Sequence, residues 1–182
     1  MYEKTVFCVM GLPLSGKTTV CEILSKELGI HYIDIDDGPA KCVKPREEEP
    51  YRTPESTSTE RKRMNAAYII LHSAVGVNLQ MGWPCIVSAT YSRKSSLKFL
   101  RDAVERQGGY LKIILCHFND TNEEIVRRLN IRLREGEPGG CRSVKHYLSD
   151  KERFEMPETP FLEINTSQYG PSEAVNKIKS YI

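Results

Sequence analysis

The sequence predicts a single α/β domain in which about five mostly parallel strands form a sheet between two layers of helices. Three observations indicate this three-layer sandwich. Short apolar segments alternate with longer segments whose apolar residues recur at helical spacing. The apolar segments are continuous rather than alternating, as in parallel strands that are buried on both faces. The length of 182 residues is that of one domain, covering 1–182.

The composition excludes several classes of protein. The chain carries 26 Lys plus Arg and 24 Asp plus Glu, so its formal net charge is only +2. With 40% hydrophobic residues it is too apolar and too weakly charged to be disordered. A near-neutral total gives no general reason to expect binding to nucleic acid or to a membrane surface.

The cysteines and an uncharged stretch of the chain indicate in which cellular compartment the protein is expected. The six cysteines are at least 13 residues apart, which excludes the paired spacing of zinc ligands and favours reduced thiols in a cytoplasmic protein. No charged side chain occurs from Met64 to Ser92. Polar residues interrupt that stretch, so we expect a buried helix followed by a buried strand rather than a membrane span.

The first half of the chain predicts two strands, two helices and a long connection. Thr5 to Met10 is apolar enough for a buried strand, and Lys17 to Leu28 repeats apolar residues at helical spacing until a glycine ends it. The second strand, Ile30 to Ile35, runs into acids. Residues 37 to 60 are polar and rich in proline, which predicts a long loop. A helix is expected from about Thr57 to Gln80, and it carries no charge from Met64 onward.

The second half predicts three more strands, each followed by a helical segment. The strands are expected at Pro84 to Thr90, Tyr110 to Phe118 and Pro160 to Asn165. The helices are expected at Lys94 to Gln107, from Thr121 onward and from about Pro171 to the end. Two glycines stop the first of these helices, and the pattern Thr-x-x-Glu at Thr121 is a capping box that opens the second.

A glycine-rich loop between the first strand and the first helix carries the clearest chemistry. Gly11-Leu12-Pro13-Leu14-Ser15-Gly16-Lys17-Thr18 fits the pattern G-x-x-x-x-G-K-[ST]. Its glycines allow successive N–H groups to point inward around a phosphate, and the following helix adds its positive dipole end. Lys17 is expected to reach the phosphate oxygens, and the Thr18 hydroxyl is placed to ligate Mg²⁺.

Acidic residues follow the second predicted strand. Asp34, Asp36 and Asp37 lie at its carboxyl end, which in an open α/β sheet faces the ligand crevice. A carboxylate close to the γ-phosphate would accept the proton of an attacking hydroxyl. Alternation along an extended strand puts Asp34 and Asp36 on one side and Asp37 on the other. The pattern does not select among the three acids, and a polar strand end entering a loop is the alternative interpretation.

The helix that opens at Thr121 carries four arginines. At helical spacing Arg132 lies near the apolar stripe and Arg128 beside it, whereas Arg127 and Arg134 are expected to face solvent. Arg128 and Arg132 are one turn apart and suited to stacking on a nucleobase and clamping phosphates. A glycine-rich basic segment, about residues 135 to 149, is expected to form a mobile lid that closes on the phosphates and excludes water.

The order of these features resembles that of a family of P-loop kinases. The phosphate loop is followed by an acid-ended strand, a long insert, a strand ending in Ser88-Ala89-Thr90 with Arg93 downstream, the arginine helix and a strand ending in Glu-Ile-Asn-Thr. This order is similar to the AAA-like ATP-dependent kinases, which include zeta toxins and polynucleotide 5′-hydroxyl kinases, and to the gluconate and adenylate kinase group. The resemblance covers nearly the whole chain, but only the phosphate loop is highly specific.

The resemblance implies ATP and Mg²⁺ as cofactors and assigns residues to the nucleotide. The implied residues of the phosphate loop are Gly11, Ser15, Gly16, Lys17, Thr18 and Thr19. Arg128 would lie beside the adenine, with Asn165 and Thr166 near the base, contacting it mainly through backbone.

The resemblance also implies the catalytic residues. They are Lys17, Asp36, Asp34 and Arg132. Asp36 would orient or deprotonate the acceptor hydroxyl, with Asp34 as the second candidate, and Arg132 would lie on the phosphates. Many relatives end the third strand with an Asp for Mg²⁺, but here Ser88 and Ala89 take that place. The metal would then be held by Thr18, phosphates and water, with Asp34 as a further contact, which Mg²⁺ tolerates.

The sequence therefore predicts an ATP-dependent phosphotransferase that acts on a hydroxyl of a small molecule, nucleoside or nucleotide. A polynucleotide 5′-hydroxyl kinase is a less favoured alternative, because the net charge is low. A regulatory GTPase is disfavoured, because its Asp-x-x-Gly and Asn-Lys-x-Asp motifs are missing. A nucleotide-binding or NTPase module without transferase activity is a further hypothesis.

Acceptor specificity is expected in an insert at about residues 37 to 64, whose sequence does not identify the acceptor. The expected partners are ATP and that small acceptor, with nucleic acid less favoured and no membrane. Monomer and homodimer both remain open.

Overall fold

The computed structural model describes residues 2–43, 54–135 and 141–182, and it confirms the predicted three-layer sandwich. Within those ranges five parallel strands form one sheet in the order 2-3-1-4-5. The strands are β1 Thr5–Met10, β2 His31–Asp34, β3 Cys85–Ala89, β4 Tyr110–His117 and β5 Leu162–Asn165. The helices are α1 Lys17–Leu28, α2 Pro54–Gln80, α3 Lys94–Arg106, α4 Asn122–Glu135, α5 Val144–Glu152 and α6 Pro171–Tyr181. A short 3-10 helix spans Pro39–Cys42.

Alternation along the central strand explains why both faces of the sheet are covered. Val6 and Cys8 of β1 point to one face and pack with the apolar stripes of α2 and α3, including Leu71. Phe7 and Val9 point to the other face and pack with α1 and α6. All six residues of β1 are buried, so the strand has no polar face, as its sequence predicts.

The strand order places the phosphate loop where the connections between strands lead to opposite sides of the sheet. β1 lies in the centre, β3 and β2 follow on one side, and β4 and β5 lie on the other. Open α/β sheets bind ligands where neighbouring connections diverge at the carboxyl ends of the strands. The loop Gly11–Gly16 leaves β1 at this point, and the ends of β2, β3 and β5 surround it.

Three elements differ from the sequence expectations. β2 ends at Asp34, so Asp36 and Asp37 lie on a turn and strand alternation does not describe them. α2 begins at Pro54, a few residues earlier than expected. Residues 144–152 form α5 rather than a flexible loop, because the Ser143 side chain caps the helix by accepting from the His146 N–H.

Parts of the expected insert and lid lie outside the described residues. These are 44–53 of the insert at about 37–64, and 136–140 of the lid at about 135–149. The described end of the lid segment is packed on the domain. Tyr147 of α5 is buried, its ring lies 5.6 Å from that of Phe118, and its hydroxyl donates to Asp120 Oδ2 at 3.0 Å.

The cysteine expectation is confirmed, since all six thiols are free. Cys42 is exposed and the other five are buried. In the described ranges no helix combines the length and the apolar character that crossing a bilayer requires.

Candidate functional site

The glycine-rich loop wraps closely against the sheet. Gly11 has φ +144°, and a Cβ built there would lie 2.0 Å from the Cys116 carbonyl oxygen of β4, so no side chain fits. Gly16 has φ +78° and precedes α1 as its N-cap. Leu14 also has a positive φ, of +68°, and Ser15 is fully buried. These conformations turn the loop back over the start of α1, where its N–H groups and the helix dipole create an anion site.

Lys17 lies across this loop at the first position of α1. Its ammonium donates to the Leu12 carbonyl oxygen at 2.8 Å and contacts Ser15 Oγ at 3.3 Å. Burial lowers the pKa of Lys17, and Arg132 lowers it further, whereas the carboxylates of Asp34 and Asp36 oppose the shift. The lysine, the two acids and the arginine that the sequence singled out therefore lie close enough for their charges to interact. Thr18 and Thr19 follow Lys17 with exposed side chains.

Asp34, at the carboxyl end of β2, is held by three hydrogen bonds. The hydroxyls of Tyr32 and Ser88 each donate to Asp34 Oδ2 at 2.6 Å. Asp34 Oδ1 accepts from the Asp36 backbone N–H at 2.8 Å, which closes the turn after β2. Asp34 is thus fixed in position by its own strand, by β3 and by the turn.

Asp36, on the turn after β2, is the carboxylate with an unusual environment. Burial raises its pKa, the neighbouring charge of Asp34 adds to the shift, and Lys17, Arg132 and Arg63 oppose it. Asp36 is half-buried, and its backbone N–H donates to Asp34 Oδ1. Asp37 is different: its side chain is 71% exposed and pairs with Lys41 at the surface. Of the three acids, Asp37 is thus the one that lies at the surface.

The helix α2 supplies the neighbours of Asp36 on the insert side. Arg63 donates to the Ala40 carbonyl oxygen at 3.1 Å and pairs with Glu60. Tyr68 accepts the Tyr91 backbone N–H at 3.1 Å, and the negative charge of Asp36 contributes to the raised pKa of Tyr68. The expected insert therefore meets the phosphate loop at Asp36.

Arg128 of α4 joins the phosphate loop to the end of β5. Its guanidinium donates to the Leu14 carbonyl oxygen at 3.0 Å and to Thr166 Oγ1 at 2.9 Å. The same group lies 4.5 Å from the centre of the Phe118 ring, and the side chain is only 15% exposed. Glu124, one turn earlier, accepts from Arg128 Nε at 2.6 Å and orients the guanidinium.

An open cleft of about 390 Å³ lies beside Arg128. Its walls come from the ends of β4 and β5 and from the first turns of α4: Asn119, Thr121, Glu124, Arg127, Arg128, Thr166 and Ser167. Thr166 was expected here, and Asn165 is adjacent, with its side chain donating to Asn119 at 2.9 Å. Arg127 faces solvent, as expected, with its side chain 57% exposed, and it bonds to Glu124 at 2.7 Å.

Sequence reasoning missed two residues that organise this site, Glu124 and Tyr32. Glu124 carries a helical-spacing signal, because an acid four residues before an arginine forms an intrahelical pair. Tyr32 carries the strand signal of a side chain two residues before Asp34 and on the same face. Both signals were present in the sequence, but each is common on helices and strands without function.

We expect Glu124→Gln to weaken nucleotide binding about tenfold, since charge-assisted hydrogen bonds are worth roughly 1.5–3 kcal/mol and this one orients Arg128. The hydrogen bonds of Arg127 and Arg128 hold the pKa of Glu124 down to about 2, so the acid is ionised at every working pH. Fluorescence titration with a labelled ADP measures the effect. Glu123→Gln, on the same helical turn with an exposed side chain, is the matched control and should bind as the wild type does. Equal affinity of the two variants would contradict the assignment.

Comparisons with known proteins agree with this geometry. A family model described as an AAA domain matches residues 6–155. No curated protein sequence matches the chain significantly. A candidate kinase from Chloroflexus aurantiacus superposes with a TM-score of 0.72 at 18% sequence identity, with 98% of each chain covered.

Two further solved structures are similar over nearly their whole length. The APS kinase of Mycobacterium tuberculosis, determined with AMPPNP and APS, has a TM-score of 0.66 at 15% identity, covering 99% of this chain and 98% of that one. A gluconokinase from Sinorhizobium meliloti has a TM-score of 0.62 at 18% identity, covering 100% and 95%. At such identities the likeness establishes a shared fold.

Proposed function

The chain belongs to the AAA domain family within the P-loop kinases, and from this premise we propose that it transfers the γ-phosphate of ATP to a hydroxyl group. The acceptor would be a small molecule, a nucleoside or a nucleotide. The observation that carries the proposal is the glycine-rich loop around Lys17, with the half-buried carboxylate of Asp36 close enough for its charge to act on Lys17. Such a pair combines a phosphate-binding cation with a proton acceptor.

The nucleotide would lie with its phosphates in the glycine-rich loop and its base in the cleft beside Arg128. Lys17 would exchange its present contacts with Leu12 and Ser15 for phosphate oxygens. Arg132, which acts on the pKa of both Lys17 and Asp36, would stabilise the charge that develops on the transferred group. The similar fold of the APS kinase, whose structure contains AMPPNP, supports a nucleotide as the ligand.

The residues present fit a Mg²⁺ ion carried in with ATP. In the described ranges no cluster of three or more His, Cys, Asp or Glu side chains exists that would bind a metal on its own. Mg²⁺ rarely needs one, since it keeps several waters and takes one or two protein oxygens plus phosphates. The Thr18 hydroxyl and the Asp34 carboxylate would serve as those oxygens, and the ion would neutralise charge on the phosphates.

ATP, the acceptor hydroxyl and Asp36 account for every bond and proton of the reaction. The acceptor hydroxyl forms a bond to the γ-phosphorus while the bond from that phosphorus to the bridging oxygen of ADP breaks. The hydroxyl proton passes to the Asp36 carboxylate, and ADP leaves with the electron pair of the broken bond. Burial around Asp36 favours transfer over hydrolysis, because it limits the access of water.

Phosphate transfer from γ-labelled ATP to a panel of polyols, nucleosides and nucleotides tests the proposal. The expected result is a labelled product with one acceptor class and little release of inorganic phosphate without it. A 5′-hydroxyl oligonucleotide belongs in the panel as a separate arm. ATP hydrolysis that no acceptor changes would contradict the proposal and leave a nucleotide-binding or NTPase module.

A further inference from the structure

Ser88, the penultimate residue of β3, is a buried polar side chain next to the phosphate loop's acidic neighbour Asp34. Ser88 lies in β3 directly beside Asp34 of β2 in the parallel register, and its side chain is 1% exposed. A buried hydroxyl at this position must find a partner, because an unsatisfied one costs roughly 1–3 kcal/mol. Ser88 finds it in Asp34, 54 positions earlier in the chain.

Tyr32 supports the same oxygen from the neighbouring side. Its hydroxyl donates to Asp34 Oδ2 and lies 3.0 Å from Ser88 Oγ, so the three oxygens form a closed triangle. With the Asp36 N–H on Oδ1, three donors bind one carboxylate that offers about four acceptor positions. Roughly one acceptor position of Asp34 is therefore left. Asp34 also lies close enough to Lys17 to influence it.

A serine and an acid are complementary at this distance, whereas two acids are not. An aspartate at position 88 would place a second carboxylate beside Asp34 and cause like-charge repulsion. With serine there, β3 supplies a donor and β2 supplies the only carboxylate of the pair.

We propose that Ser88 and Tyr32 are positioning residues that orient Asp34 toward the metal of the Mg²⁺–ATP complex. This inference rests on the proposed function. Neither residue touches substrate; both act through Asp34. The expected consequence is a selective loss of metal affinity, because partners of this kind change metal binding about 10- to 100-fold.

Titration with Mn²⁺, followed by the electron paramagnetic resonance of the free ion, tests the inference without any acceptor. Protein saturated with ADP is compared for the wild type, Ser88→Ala and Tyr32→Phe. We expect each variant to bind Mn²⁺ about tenfold more weakly. ADP binding in the presence of a chelator should stay at the wild-type value. Tyr2→Phe, whose ring packs on Phe7 5.3 Å away, is the matched control and should leave both quantities unchanged.

The outcomes separate the two proposals. Weaker Mn²⁺ binding with unchanged metal-free ADP binding supports the inference. Wild-type Mn²⁺ affinity in both variants overturns it and leaves the proposed function intact. A wild-type protein that binds no ADP overturns the proposed function and the inference together. Tyr32→Phe removes one oxygen and keeps the ring, so it provides the measurement if Ser88→Ala does not fold.

Discussion

Lys17→Ala should lower the rate of phosphate transfer at least a hundredfold, the order of magnitude lost when a single charge-stabilising group is removed from an active site. Lys17 is the one side chain of the phosphate loop whose positive charge directly meets the γ-phosphate in the proposed complex. Alanine removes that charge and the two contacts to Leu12 and Ser15. Both binding of ATP and transfer should therefore suffer.

The folded state should tolerate the loss of Lys17. Because burial lowers the pKa of its ammonium, the charged lysine is held at a cost in the folded protein. We expect the melting temperature of Lys17→Ala to equal or exceed that of the wild type. Lys26→Ala, on the exposed side of the same helix, is the matched control and should keep full activity. Transfer by Lys17→Ala at the wild-type rate would refute the assignment of this loop.

Asp36→Asn should reduce kcat about 10²- to 10⁴-fold, the range for loss of a general base, while ATP affinity changes little. The amide keeps the size of the side chain but does not accept the hydroxyl proton. Single-turnover kinetics with the acceptor found in the panel separate the two effects. Asp37→Asn is the matched control, because Asp37 pairs with Lys41 at the surface. Equal loss in the two variants would rule out a specific role for Asp36.

The pH dependence of the wild type should report the same residue. Asp36 must be ionised to accept a proton, and its folded-state pKa is raised above the ordinary value of 3.8. The rate should therefore fall as the pH is lowered through that raised pKa, and the acidic limb should disappear in Asp36→Asn. A rate profile that keeps this limb in the variant would assign it to another group.

The substitution Asp36→Asn should raise the stability of the folded protein at neutral pH while it lowers activity. A raised folded pKa means that this group stabilises the protein below its unfolded pKa and that the contribution is lost as the pH rises through the folded pKa. At neutral pH the ionised, buried Asp36 is therefore unfavourable for folding. Asp36→Asn should raise the melting temperature at pH 7 and lose this advantage in acid. Melting temperatures of the wild type and the variant, measured by thermal denaturation at a series of pH values, test this expectation.

The fold and the phosphate loop could be predicted because they depend on local pattern. Continuous apolar segments, a glycine loop and a following helix specify neighbouring residues, and the structure reproduces β1 and α1 within their expected bounds. Periodicity did not predict α5, since its start depends on the Ser143 cap and its burial depends on Tyr147 packing against Phe118.

The polar contacts of the site could not be predicted in the same way, because they join residues that are distant in sequence. Arg128 reaches Leu14 across 114 positions, and Ser88 reaches Asp34 across 54. Only the strand order, with β3 between β1 and β2, brings such pairs within hydrogen-bond distance.

The sequence by itself determined the class of sheet, the phosphate loop and the set of charged residues from which a site is built. The tertiary structure decided which of those charges meet. Burial selects Asp36 over Asp37, Glu124 orients Arg128, and Ser88 with Tyr32 fixes Asp34. The physical reason is that a sequence pattern describes neighbours within one helix or strand. Desolvation and hydrogen bonding depend instead on the residues that other helices and strands bring next to it.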